Sequence, residues 1–449
     1  MKAVFSLASI FALRMFGLFL LLPVLSLHAA NFSGSTPFLV GLALGIYGLT
    51  QAALQIPVGL LSDRYGRKKL ITVGLIIFFI GSVVAAMASS IEWVIIGRAI
   101  QGGGAISAAV LALTADLTRE EQRTKAMAII GMSIGLAFLV SFTLAPILAD
   151  RIGVAGLFWI TAVLALAAIA VLHLLVPNPQ RHVLHRDIVP VVNQLSEVIK
   201  DTQLLKLDFG IFILHLVLTA LFVVLPGEIN RIGGYAVGDH WKIYLPLILL
   251  SVVGMLPLII LGSKKGQVTI VFRVTTLLLS LALIGLAFST GKHGPGFVAL
   301  MISLWLFFVG FNALEAMLPS LVSRAAPAAS KGTAIGIYSS LQFFGVFVGG
   351  TAGGLILSKF GAVGVFWMCA LLSLLWALVS LIFPEFRLSS SRVIDIGEHS
   401  QSQREALIDR IGRIKGVQEV TIVSGESLAY LKVDDKELDT AALHQLKQT

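Results

Sequence analysis

Apolar stretches, each near the length that crosses a bilayer as a helix, recur from residue 4 to residue 384 with short polar segments between them. Hydrocarbon offers no water to the backbone, so a spanning segment of this kind pairs its polar groups internally as a helix of about 20 residues. The pattern predicts twelve spans, near 4–28, 39–61, 70–89, 93–117, 126–149, 154–176, 205–228, 241–262, 268–290, 296–323, 332–358 and 362–384.

After Pro384 the pattern becomes that of an ordinary soluble chain. Arg392–Ile396 reads as a strand, Gln401–Ile414 as an amphipathic helix, and Val417–Val423 and Ser427–Val433 as alternating strands joined at Ser424-Gly425-Glu426. Leu438–Leu446 reads as a second helix. The order β-α-β-β-α is most of a ferredoxin-like split βαβ. Such folds often bind metals through cysteines, which this tail lacks, so a regulatory, ligand-binding or assembly role is expected of it.

The chain also repeats itself at an offset of about 200 residues. Phe19-Leu20-Leu21-Leu22-Pro23 is echoed by Phe222-Val223-Val224-Leu225-Pro226, Ile56-Pro57 by Leu256-Pro257, and Lys125-Ala126-Met127-Ala128-Ile129 by Lys331-Gly332-Thr333-Ala334-Ile335. An offset of six helices preserves topology, so the halves are expected to be parallel repeats about an axis along the membrane normal. The predicted organisation is an all-α polytopic membrane protein with a small α+β tail. Its parts are a six-helix bundle over 1–178, a linker over 179–204 with a short surface helix at 189–201, a second bundle over 205–386 and the soluble domain over 387–449.

Composition strengthens this picture. The 449 residues are 57% hydrophobic and 13% charged, against about 25% charged in soluble domains, a balance that only lipid can solvate. The formal charge of +9 points to loop placement and not to nucleic acid. With a cytoplasmic N-terminus the inside loops and the central connection carry about 15 Lys and Arg, among them Arg64, Arg67, Lys68 and Lys69. The outside loops carry about five: Arg151, Arg231, Lys242, Lys292 and Lys359. An inner membrane with the N-terminus and tail in the cytoplasm follows. The single cysteine, Cys369, excludes a disulfide framework or thiolate metal site within one chain. The opening stretch, from Lys2 to Leu27-His28-Ala29-Ala30, has the outline of a signal peptide, but its length and Arg14 argue for a retained helix.

The most specific string lies between the second and third spans: Gly59-Leu60-Leu61-Ser62-Asp63-Arg64-Tyr65-Gly66-Arg67-Lys68-Lys69. Gly66 provides the permissive φ of a tight interhelical turn. Asp63 stands at the negative end of a helix, where a carboxylate needs a compensating arginine or the positive N-terminus of another helix. Gly332 and Thr333, opening the eleventh span, offer such N–H groups, and a contact there would act as a latch between the halves.

This string resembles the G-x-L-a-D-R-x-G-R-K signature of the major facilitator superfamily, and Arg98, Gln101, Gly102, Gly104 and Ala105 resemble its R-x-x-Q-G-x-G-A motif. The resemblance covers about residues 1–385 and implies the twelve-helix fold of that family. With the tail added, the chain is similar to the YajR group, whose members are classed as drug/proton antiporters, and the run from Phe311 to Arg324 is similar too. The resemblance implies that Asp63 meets the eleventh helix and that Arg67 pairs with an acid on the fourth, here Asp116. Two stretches depart from the family pattern. Ser141–Asp150 lacks the glycines of the antiporter motif G-x-x-x-G-P-x-x-G-G, and Gly262-Ser263-Lys264-Lys265-Gly266 lacks the aspartate of the charged loop.

Ionisable side chains within spans cost about 2.5–3.5 kcal/mol each on insertion scales, which makes each a functional candidate. Arg14, His215 and Glu315 lie deep in their helices. Asn312 shares the face of Glu315 and Asp208 that of His215, while Asp208 is expected near enough to the cytoplasm to be solvated. Histidine titrates near neutral pH and burial brings a carboxyl group toward the same range, so these residues form a candidate proton or substrate site.

The function expected is secondary active transport of a small, drug-like molecule by alternating access, driven by the proton gradient, with efflux as the direction. No G-x-x-x-x-G-K-[ST] string is present, and Gly102-Gly103-Gly104 reads as a packing surface. No cofactor is called for. A membrane sensor signalling through the tail, or an uncoupled facilitator, is the alternative; no metal-ligand cluster or nucleophile–base string supports an enzyme.

Overall fold

The computed structural model describes residues 2–449 except 119, 179–195, 197, 265–266, 292–293, 295, 328–329, 383–384, 387–389, 397–400, 423–427, 434–436, 440–441 and 443–449. Ten helices are long and apolar enough to cross a membrane among these residues. Two of them, Lys125–Leu175 and Lys331–Ile382, have 51 and 52 residues, over twice what a bilayer needs. Each breaks once. Gly153 (φ 67°, ψ 177°) and Gly361 (φ 69°, ψ −173°) leave helical geometry in a region that side chains with a Cβ rarely occupy. Divided there, the ten helices give twelve crossings, and the two breaks occupy corresponding places in the two halves.

Local chemistry fixes several boundaries. The helix Pro37–Tyr65 starts with Thr36 accepting a hydrogen bond from the Leu39 N–H, and has Pro37 where no N–H is needed. It stops at Gly66 (φ 97°), which turns the chain into the helix Arg67–Ala86. Two predicted spans are corrected. The first is not continuous over 4–28: the helix Lys2–Phe19 ends in a turn containing Pro23, followed by the short helix Leu25–His28. The equivalent Pro226 stays inside the helix Thr202–Gly233, so the echoed sequence folds in two ways. The fourth, expected over 93–117, is interrupted between Ile91–Gly103 and Ser107–Asp116, where Gly104 (φ −76°, ψ 50°) is not helical.

The chain divides into two compact units, Met1–Arg186 with Asp208–Glu315 and Gly336–Phe383, and Asp187–Leu207 with Ala316–Ile335 and Pro384–Thr449. Within the first unit, the helices Pro37–Tyr65 and Lys331–Ile382 run antiparallel in backbone contact. A Cβ on Gly41 would strike the carbonyl of Gly350, and one on Gly45 would lie 2.7 Å from the carbonyl of Phe347. Small residues are what permit helices to approach this closely in lipid. At the Pro37 end of the bundle the halves also meet through Phe142, whose ring packs on Phe222 and Tyr244 at centroid distances of 4.9 and 5.7 Å. The Ser26 hydroxyl donates to the Phe222 carbonyl at 3.4 Å nearby.

In the second unit the tail forms a three-stranded antiparallel sheet. Its strands are β1 (Ser390–Asp395), β2 (Val417–Ile422) and β3 (Leu428–Val433), in the order β1-β3-β2. The helix Gln401–Gly412 connects β1 to β2, so β3 inserts between two parallel neighbours as in a split βαβ. Alternation along the strands buries Ile394, Ala429, Leu431 and Val433 against Ile411. The hairpin at 424–426, most of the second helix expected over 438–446, and most of the linker helix expected over 189–201 lie outside the described residues.

Candidate functional site

Among the described residues, three groups of polar side chains hold most of the sequence-predicted candidates, all in the first unit. One surrounds Arg14, which is 1% exposed. The break after Gly103 frees a backbone carbonyl from its helix, and Arg14 uses it: Nη2 donates to the Gly104 carbonyl at 3.0 Å, to the Tyr47 hydroxyl at 2.7 Å and to Gln51 Oε1 at 2.6 Å. Its Nη1 donates to the Ser107 hydroxyl at 3.1 Å, and the guanidinium lies 5.7 Å from the Phe78 ring centre. The triple glycine is therefore more than a packing surface. Tyr47, Gln51 and Gln55 line one face at i, i+4 and i+8, with Tyr47 donating to Gln51 and Gln51 to Gln55.

Arg98 braces the same region from the other side of Tyr47. It donates to the Ala43 and Leu44 carbonyls at 3.2 and 3.4 Å and to Gln101 at 3.0 Å, and its guanidinium lies 5.0 Å from the Tyr47 ring centre. Gln101 donates onward to the Ser82 hydroxyl at 2.8 Å. Gly102 is required beside it, since a Cβ there would fall on the Tyr47 carbonyl. Arg98 thus ties helices together through neutral acceptors.

The second place is the turn at Gly66. Asp63 and Asp116 both end helices, where the dipole disfavours a carboxylate. Arg67 answers both, through Nη1 to Asp63 at 2.6 Å and through Nε to Asp116. The expected Arg67–Asp116 pair is present, and Asp63 finds its partner one turn away on the sequence. Asp63 remains 58% exposed at its side chain. Gly59 packs so that a Cβ would meet Ala108 at 3.3 Å, and its carbonyl accepts from Ser62 at 2.6 Å. Lys68 donates to the Val176 carbonyl at 2.7 Å, closing the end of the helix that stops at Leu175. Arg64 stacks on Tyr65 at 5.5 Å. Gly332 and Thr333 open the helix Lys331–Ile382 and belong to the second unit, so the contact expected of Asp63 there stays an expectation.

The third place joins three helices of the C-terminal half. The Gln342 amide donates to His215 Nε2 at 2.9 Å and to Glu315 Oε1 at 3.2 Å, and His215 Nε2 stands 3.8 Å from Glu315 Oε2. Tyr338, one turn from Gln342, lies within electrostatic reach of Glu315 and Asp208. Asp208 is 2% exposed and so is not solvated as expected; it is enclosed inside the bundle. Asp208 Oδ1, His215 Nδ1, Glu315 Oε2 and the hydroxyls of Tyr338 and Ser340 are buried without hydrogen-bond partners among the described residues. Asn312 does not join them; it donates to the Ser251 hydroxyl at 2.9 Å.

Sequence reasoning picked the charged members of these groups and missed the neutral ones: Tyr47, Gln51, Ser107, Tyr338 and Gln342. A signal existed for some, because Tyr47-Gln51-Gln55 and Tyr338-Gln342 are polar at four-residue spacing in otherwise apolar helices. No group of three or more His, Cys, Asp or Glu arranged for a metal ion occurs among the described residues.

Comparison with known proteins gives a consistent answer. A family model of the Major Facilitator Superfamily matches residues 7–350 and 207–405. The chain is 44% identical over 435 residues to the inner membrane transport protein YajR of Escherichia coli (strain K12), covering 97% of this chain and 94% of that one. It is 26% identical over 412 residues to the bacillibactin exporter of Bacillus subtilis (strain 168), covering 87% and 98%. Among solved structures it is similar to a D-xylose-proton symporter, with a TM-score of 0.68 at 17% identity, covering 86% of this chain and 98% of that one.

Proposed function

Because this chain belongs to the Major Facilitator Superfamily of membrane transporters, we propose that it is a proton-coupled secondary transporter that exports a small molecule across the inner membrane by alternating access. The observation that carries this reading is the His215–Gln342–Glu315 cluster with its unpartnered buried atoms. A buried polar atom without a partner costs about 1–3 kcal/mol, so a fold keeps such a cluster for something that binds there in part of a cycle. Protons suit it. A carboxyl group and an imidazole stand 3.8 Å apart, and the Gln342 amide reaches both. Asp208, on the helix Thr202–Gly233, and Tyr338, on the helix Lys331–Ile382, extend the cluster toward the starts of these two helices.

Sidedness follows from loop charge: the Gly66 turn and the tail face the cytoplasm, and the Pro37 end faces outward. In this orientation the packing of Phe142 on Phe222 and Tyr244 closes the outward side. The Asp63–Arg67–Asp116 triad places two carboxylates at unfavourable helix ends around a single arginine, an arrangement sensitive to small helix movements. Its role is to couple closure of the cytoplasmic side to protonation within the bundle. The soluble tail is read as a ferredoxin-like domain with a regulatory or assembly role.

The test uses purified protein in liposomes with a trapped pH-sensitive dye and a panel of drug-like cations, sugars and organic anions. Substrate-dependent proton movement lost in Glu315→Gln supports coupled export. Substrate flux without proton movement means a facilitator, and binding with no flux of any compound favours a sensor.

A further inference from the structure

The Arg14 cluster is not used by the proton site, and its electrostatics are incomplete. Arg14 is buried as deeply as any core residue, yet among the described residues it forms no ion pair. Its acceptors are neutral: a tyrosine hydroxyl, an amide oxygen, a serine hydroxyl and a backbone carbonyl. Its Nε–H has no acceptor among the described residues. Arg98, on the far face of Tyr47, likewise donates only to neutral groups. A buried cation ordinarily stands beside a compensating anion.

The backbone adds a second positive element at the same point. The interruption at Gly104–Ile106 begins a new helix, Ser107–Asp116, whose first-turn N–H groups have no acceptors within that helix and carry the positive end of its dipole. Arg14 touches both sides of the interruption, at the Gly104 carbonyl and the Ser107 hydroxyl. A guanidinium with an unpartnered N–H at the start of an interrupted membrane helix is an arrangement suited to an anionic group.

We propose that Arg14 and the N-terminus of the helix Ser107–Asp116 form the binding site for an anionic group, a carboxylate, on the transported molecule. The proposal rests on the transport reading and names the substrate class as small organic anions with an apolar body. Gln51 and Tyr47 are the side-chain acceptors that a carboxylate would replace, while Gly104 and Ser107 keep the guanidinium in place. The apolar body lies against the neighbouring aromatic ring of Phe78. The two halves then divide the work, with the anion held on the N-terminal half and the proton on the C-terminal half.

The test is binding to the detergent-purified full chain, without a gradient, of three matched probes: 1-naphthoate, neutral 1-naphthamide and cationic 1-naphthylmethylamine. Naphthoate is expected to bind, with the other two weaker by about tenfold or more, the usual scale for losing hydrogen bonds to a charged group. Arg14→Gln should lower naphthoate affinity by about the same factor. Should that variant not fold, Gln51→Glu carries the test: it supplies the missing carboxylate internally, folds, and abolishes naphthoate binding. Equal binding of all three probes, binding of none of them, or naphthoate binding retained in Gln51→Glu overturns the proposal. Intact naphthoate binding in a protein that moves no protons in liposomes sinks the transport reading instead, while proton-coupled flux of other compounds by a protein that ignores naphthoate sinks only this one.

Discussion

The two halves of the bundle descend from one repeated pattern of helices, yet they treat buried charge in opposite ways. In the N-terminal half, Arg14 and Arg98 clasp Tyr47 between them and reach seven acceptors, all neutral. In the C-terminal half, Glu315, His215 and Asp208 share few hydrogen bonds and leave several atoms unpartnered. The difference teaches that depth of burial does not separate structural charge from functional charge. Satisfaction does. Arg98 is as buried as Asp208 and makes every contact a cross-brace needs. Among the described residues Asp208 has an oxygen without a hydrogen-bond partner, and Arg14 an N–H without one.

The sharpest way to break this comparison is to remove its scaffold. Gly41→Leu or Gly350→Leu places a side chain on the facing backbone in the seam between halves, and no rotamer escapes it. Either variant is expected to lose the folded protein altogether, read as loss of a monodisperse peak on size exclusion, whereas Gly131→Leu, where a Cβ meets nothing, is expected to keep it. Next in size is coupling. Glu315→Gln removes one carboxyl group of the cluster while keeping its shape, so substrate-driven proton movement should fall by about 100-fold or more, the scale of losing a positioned acid–base group.

A smaller effect sharpens the structural side. Arg98→Met deletes the brace and leaves the Ala43 and Leu44 carbonyls and Gln101 with fewer partners, which is expected to cost about 1.5–3 kcal/mol and to show as a lower Tm without altered probe binding. Smallest is Asp63→Asn. The Asp63 carboxylate is largely exposed and its pair with Arg67 is worth about 1 kcal/mol at most, so Tm should change by no more than about 2–4 °C while the transport rate falls. An equal fall in stability for Asp63→Asn and Arg98→Met would mean that both arginine motifs are merely structural.

Much of this fold was legible from hydropathy alone, because lipid leaves the backbone one solution and the apolar runs announce where it is used. The helix breaks were not. Gly153 and Gly361 sit among 43 glycines, and nothing in an apolar run says which one adopts a positive φ. The interruption at Gly104 was read as close packing for the same reason. At the candidate sites the charged residues stood out against apolar surroundings, and the Arg67–Asp116 pair was reached through the family signature. Burial was harder: Asp208 lies six residues into its helix, which suggested solvent, but neighbouring helices enclose it. Tyr338 and Gln342 carry no charge; their four-residue spacing marks a polar face, but its partners emerge only when three helices are brought together. In the tail, strand alternation placed β1, β2 and β3 to within about two residues, since a half-buried sheet writes its pattern directly into the chain.

The central claim is that the unpartnered cluster in the C-terminal half carries the proton. The most direct measurement compares wild type with Glu315→Gln in liposomes, following internal pH and uptake of one transported compound in the same sample. The account predicts that wild type moves protons with substrate and that the variant moves none while still binding the compound. Proton movement undiminished in Glu315→Gln would contradict it and shift the search to Asp208.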